Sequence, residues 1–264
     1  MRNFRISTGK VLLPLLLIAS TPVSAHDTWL LPLRDAGGTA VFEFTSGMDF
    51  PNADYAIKPD RIATRGCRVA GTTCELVTGE SGEHALSLSA KMDRSAAGVI
   101  WIDLAPKTLT LDADKVDEYL AEIDPPASVR AAYMAQAEPR LWRETYVKHA
   151  KAFTGAASKT PTAWSKPIGN ELEITPSSTS LLSKNSDARF QVLSRGKPLA
   201  DFAIGVVGGP NAKPRLLRTD GKGEVEVRID GAGYWILRGT QLTPSTTKDI
   251  DWDSHFATLS FDVL

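Results

Sequence analysis

The sequence is short of the signatures that mark common enzymes. It has no G-x-S-x-G, no H-E-x-x-H, no G-x-G-x-x-G and no phosphate-binding glycine loop. That removes the usual case for a serine hydrolase, a zinc peptidase, a dinucleotide enzyme or a nucleotide hydrolase. Only two cysteines and four histidines occur among 264 residues. No segment beyond residue 25 approaches the roughly 18 apolar residues of a membrane-spanning helix. Positive charge is not in excess, since 30 Lys and Arg face 31 Asp and Glu. Nucleic acid normally wants a basic face, so it is not an expected partner. A binding protein, not an enzyme, is the expectation.

What is present begins with a leader. Arg2, Arg5 and Lys10 precede the apolar stretch VLLPLLLIAS, and Val23 and Ala25 are the small residues a signal peptidase requires. Residues 1–25 therefore read as a secretory signal. The expected location is the periplasm, with no membrane span in the mature chain. Cleavage after Ala25 makes His26 the first residue, and loss of the three leader cations takes the net charge from −1 to −4. In an oxidising compartment Cys67 and Cys74, in GCRVAGTTC, are expected to form a disulfide. Such a bridge stabilises by roughly 2–3 kcal/mol in the chain-entropy account.

Strand-like segments dominate. TAVFEF, ELVTG, HALSLSA and GVIWIDL are short and rich in β-branched or aromatic residues, so residues 26–105 read as an all-β unit. A change of period follows. Val116, Tyr119, Leu120 and Ile123 form a helical stripe behind an Asp cap and ahead of Pro125 and Pro126. The acids of DADKVDEYLAEI suggest a calcium loop, but the glycine and terminal Glu of such a loop are missing. They suit a helix start instead. SVRAAYMAQAE and RLWRETYVKHAKAF extend the helical reading over 106–153, with Trp142, Tyr146, His149 and Phe153 on one helical face. Polar, proline-bearing residues 154–167 read as a linker. NELEITP, ARFQVLS, DFAIGVV, EVEVRI, YWILRG and HFATLSFDVL then predict a Greek-key sandwich over 168–264, with TDGKGE a tight turn. The expected fold is mainly β: two β-sandwich-like domains with a helical insertion between them.

The histidines carry what chemistry there is. A mature N-terminal His26 could offer its α-amine and ring nitrogen to one ion, a donor set suited to Ni(II), Co(II), Cu(II) or Zn(II). Otherwise it is simply the start of a first strand. His149, on an aromatic stripe, is either a ligand or a hydrogen-bonded core residue. His255 follows DIDWDSH; in an extended chain Asp249, Asp251, Asp253 and His255 share a side, a possible metal surface or else a solvated loop. His84 reads as exposed. The tryptophans read as core, because a carbohydrate platform needs several exposed and coplanar.

Taken in order, AHDTWLLP, RETYVKHAKAF, GNELEITP, GKPLADFAIGVV, TDGKGEVEV, GYWILR and HFATLSFDV resemble a bacterial periplasmic family, domain of unknown function 4198, associated with nickel or cobalt uptake. The resemblance implies a β-rich extracytoplasmic protein with a transthyretin-like or Ig-like C-terminal sandwich. It also implies a divalent transition metal, nickel or cobalt before copper or zinc, and delivery to a membrane metal transporter. Its head motif falls on His26, Asp27 and Trp29, and its middle motif on Arg143, Glu144, Tyr146, His149 and Lys151. The expectation is one ion gripped by His26, with His149 or His255 and Asp253 completing its shell. Two other readings remain: an envelope interaction module without metal, and a copper enzyme using an N-terminal histidine brace.

Overall fold

The computed structural model describes residues 26–33, 39–92, 96–155, 162–176, 182–209 and 213–264. Residues 1–25, read as a secretory signal, and residues 156–161, within the segment read as a linker, lie outside the described residues.

Along the chain the first strands are β1 (Asp27–Pro32), β2 (Ala40–Gly47), β3 (Tyr55–Ala56), β4 (Ile62–Val69), β5 (Thr72–Cys74), β6 (Leu76–Ser81), β7 (Leu86–Ala90), β8 (Gly98–Leu104) and β9 (Lys107–Leu111). Helices α1 (Ala113–Ile123) and α2 (Ala127–Met134) follow, then the long strand β10 (Trp142–Thr154). After a helical turn at Thr162–Ser165 come β11 (Leu172–Pro176), β12 (Ser186–Ser194), β13 (Lys197–Pro198), β14 (Ala203–Gly208), β15 (Arg215–Arg218), β16 (Glu224–Ile229), β17 (Gly233–Pro244) and β18 (Trp252–Val263).

The protein is mainly β, and every strand-like segment predicted from sequence lies in a strand. Three sheets form. The first runs β1-β2-β7-β6, with β3 on β2. The central nine-stranded sheet runs β15-β14-β17-β18-β10-β8-β4-β5, with β9 on β10, and the third joins β11, β12, β13 and β16. Along β8 the side chains alternate: Ile100 and Ile102 join Phe42, Phe44 and Leu88 of the first sheet, while Val99 joins Phe190, Val192 and Leu172 of the third. Two β-sandwich-like interfaces thus share the central sheet as their common layer. The sandwich expected over 168–264 is there, but its inner sheet continues through β10 into β8 and β4. The two β regions are thus joined through one sheet, and Trp164, in the segment read as a linker, is buried, stacked on Phe153.

The helical reading holds for α1, whose Val116, Tyr119, Leu120 and Ile123 are all buried. It fails for RLWRETYVKHAKAF, which forms β10. β10 lies between β18, with which it pairs in parallel, and β8 and β9, with which it pairs antiparallel. Both its faces are covered, so it lacks the simple alternation of a half-exposed strand, and tertiary pairing overrides the helical spacing. Cys67 and Cys74 sit opposite each other in β4 and β5 and form the disulfide, with Cα atoms 5.1 Å apart.

Covering β10 on both sides buries charge. Lys151 Nζ donates to Glu173 Oε1 at 2.7 Å, with side chains 4% and 2% exposed, tying β10 to β11. The Glu173 carboxylate also accepts from the backbone N–H groups of Ile168 and Gly169. Removing one partner of such a pair strands the other charge without water, at a cost of about 3–5 kcal/mol. We therefore expect Glu173→Ala to lower unfolding free energy by that amount in urea denaturation. A loss under about 1 kcal/mol, the scale of an exposed pair, would contradict this packing.

Candidate metal centre

The site grows from the registers of β10. In its antiparallel pairing with β8, His149 stands opposite Asp103. In its parallel pairing with β18, Val147 stands beside His255, which places His255 diagonally from His149 on the same face. That face looks toward the third sheet. His149 is buried and His255 half-buried.

A chain of hydrogen bonds links them. Thr64 Oγ1 donates to Asp103 Oδ2 at 2.5 Å. As a carboxylate, Asp103 only accepts, so the His149 Nδ1–H donates to Asp103 Oδ1 at 2.7 Å. His149 Nε2 is then an acceptor, and it faces His255 Nδ1 at 3.1 Å. His255 donates, which leaves its Nε2 lone pair as the outward end of the relay. The two ring planes differ by 18° with centroids 5.4 Å apart, so the imidazoles meet edge to edge through their nitrogens. Burial lowers the proton affinity of His255, and the neighbouring His149 lowers it further; Glu171 and Asp253 oppose, and Arg195 adds to the lowering. His255 is thus biased toward the neutral ring, the state that binds metal.

His26 lies elsewhere. Lys148 Nζ donates to the His26 carbonyl at 2.5 Å, and Lys148 and His149 are consecutive on a strand, so they point to opposite faces. The His26 ring sits near Asp54, Nε2 to Oδ2 3.8 Å, and 5.5 Å from the Tyr55 ring centroid. The expected grip of one ion by His26 together with His149 or His255 is corrected here, because the central sheet stands between them. Asp253 shares the face of His255, two residues away, and acts on it electrostatically. Asp251 does not join them: its carboxylate accepts from Arg143 N, Nε and NH2 at 2.8, 3.1 and 3.0 Å. Asp249 precedes the strand with a φ of 63°. His84 is exposed, its Nδ1 3.0 Å from the Asp54 carbonyl. Among the described residues no three His, Cys, Asp or Glu side chains converge as a ready metal cage. Five of the six tryptophans are buried, and Trp101 is packed against the core.

Sequence reasoning missed Asp103 and Thr64. The available signal was a lone acid near the end of the apolar run GVIWIDL, an acid that burial obliges to find a partner.

The fold and this relay define a layered β protein with a histidine pair set between two of its sheets. The family described as Domain of unknown function (DUF4198) matches residues 23–241, and the chain belongs to it. No curated protein and no solved structure matches the chain.

A pH dependence follows from His255. Its folded proton affinity lies below the ordinary value of 6.5, so just below pH 6.5 the unfolded chain binds a proton that the native state refuses. Stability from this residue is complete above pH 6.5 and falls as pH drops toward the folded value. In metal-free protein we expect the His255 ring to titrate below 6.5 by NMR, and acid destabilisation to shrink in His255→Gln. A His255 midpoint above 6.5 would contradict the burial described.

Proposed function

We propose that this protein binds a divalent transition metal, nickel or cobalt, in the periplasm as an accessory to metal uptake, with His149 and His255 as its protein ligands. The observation that carries the reading is the pair of facing nitrogens, His149 Nε2 and His255 Nδ1, 3.1 Å apart with Asp103 behind His149. A ligating histidine usually donates its second N–H to a carboxylate, which fixes its tautomer and raises its basicity; Asp103 stands in that role. The ion would take the place of the hydrogen shared between the rings. Imidazole donors suit nickel, cobalt, copper and zinc, and the family resemblance favours the first two.

The incompleteness of the donor set supports delivery over storage. Structural ions sit in closed shells of four protein ligands, whereas two imidazoles leave positions open for solvent or for a receiving transporter. A copper brace at His26 is less well supported, because His149 and His255 lie across the sheet and cannot serve as its second histidine.

The test is isothermal titration of Ni(II), Co(II), Cu(II) and Zn(II) into natively exported protein. Asp103→Asn should weaken binding about 10–100-fold, the usual cost of losing an outer-shell carboxylate. His149→Ala and His255→Ala should weaken it more, while His26→Ala and a one-residue N-terminal extension leave it unchanged. Binding that survives in the pair variants and collapses in the N-terminal ones would overturn the proposal.

A further inference from the structure

On the opposite face of the central sheet, a cavity of about 470 Å³ opens beside the start of β1, within the usual size range of small-molecule sites. Its charge is one-sided. Lys58, Arg61, Lys107 and Lys148 line it, against a single acid, Asp60. Lys58 and Lys107 are exposed, whereas Arg61 and Lys148 are half-buried. Elsewhere in the protein, buried and half-buried cations have carboxylate partners: Lys151 has Glu173, Arg143 has Asp251, and Arg238 has Asp27. These four make no ion pair among the described residues. Lys148 Nζ is held by neutral acceptors, the His26 carbonyl at 2.5 Å and Thr28 Oγ1 at 3.3 Å. An ammonium has three protons, so one is left to donate. Arg61 donates through NH2 to the Ala105 carbonyl at 2.9 Å and also bonds the Tyr146 hydroxyl, while its Nε is buried without an acceptor.

Four cations gathered in one concavity repel each other, and walls of low dielectric focus their field. An internal carboxylate would relieve such a cluster if its only task were structural. Instead neither Lys148 nor Arg61 forms an ion pair among the described residues, and the buried Arg61 Nε–H is left without an acceptor. Tyr55 and Tyr146 add hydroxyls and ring edges to the walls.

We propose that this cavity is a binding site for a small multivalent oxyanion, a di- or tricarboxylate or a phosphate compound, seated between Lys148, Arg61 and Lys107. The site is independent of the histidine pair, since Lys148 and His149 face opposite sides of the same strand. Either could fail without the other.

Calorimetric titration at constant ionic strength tests it, using tricarballylate and inorganic phosphate as separate probes of the carboxylate and phosphate classes. Lys107 is exposed, so Lys107→Glu should fold. Lys197→Glu on β13, an equal charge change on another sheet, is the control. Lys148→Met is the second variant, its folding checked by thermal melt. We expect saturable one-to-one binding of at least one probe. That binding should weaken tenfold or more in Lys107→Glu and in Lys148→Met if it folds, and be retained in Lys197→Glu. Saturation by tricarballylate alone identifies a carboxylate site, and by phosphate alone a phosphate site. No saturable binding of either probe, or equal loss in Lys107→Glu and Lys197→Glu, would overturn the proposal.

Discussion

The parallel pairing of β10 with β18 is the constraint on which the rest depends. Parallel neighbours cannot be joined by a tight turn. Between Thr154 and Trp252 the chain therefore builds the whole third sheet and the outer strands of the central one before returning alongside itself. The register it returns in decides which side chains meet. Trp142 stacks on Trp252, with centroids 5.1 Å apart. The Ser254 hydroxyl donates to the buried Glu144, which also accepts from Trp142 Nε1 at 2.8 Å and Tyr119 OH at 3.1 Å. His255 reaches His149. A slip of one residue would turn every one of these to the wrong face.

Burying so polar a strand requires that each polar group be matched. Desolvation raises the Glu144 carboxyl and lowers the Lys151 ammonium, and in both cases the hydrogen-bonding partners oppose that shift. Glu144 anchors the helices through Tyr119, and Lys151 anchors the third sheet through Glu173. Such pairs add little net stability over apolar packing, but they penalise any register that leaves a charge unmatched. Lys148 and His149 show the same strand serving two chemistries. Consecutive residues give one face a cluster of cations and the other a pair of facing ring nitrogens.

This division also explains how much was legible in the sequence. Segments with one wet face, such as EVEVRI, and the amphipathic stripe of α1 showed their period directly. The disulfide was legible because the close spacing of Cys67 and Cys74 suits the oxidising compartment expected from the leader. β10 was not, because covering both faces removes the alternation, and its aromatic residues happen to fall at helical intervals. The error carried forward. Read as a helix, the segment put His149 beside Trp142 and Tyr146, whereas in the strand Trp142 and Tyr146 face the other side. The candidates His149, His255 and Asp253 do share a face, but the exclusion of His26 depends on which side of a sheet β1 covers, and no local pattern encodes that. Nothing in the sequence groups Lys148, Arg61 and Lys107, since only the assembled fold brings them to one cavity.

The central claim is that the β10–β18 register points His149 Nε2 at His255 Nδ1 and that a metal ion takes the place of the hydrogen between them. The most direct measurement is ¹⁵N–¹⁵N coupling across that hydrogen bond, by NMR of protein labelled in histidine. It would be recorded first without metal and then with one equivalent of diamagnetic Zn(II). The account predicts a coupling that joins His149 to His255 and vanishes on adding the ion, with the His26 resonances unmoved. Uncoupled rings in the metal-free protein, or a coupling that persists while His26 shifts, would contradict it.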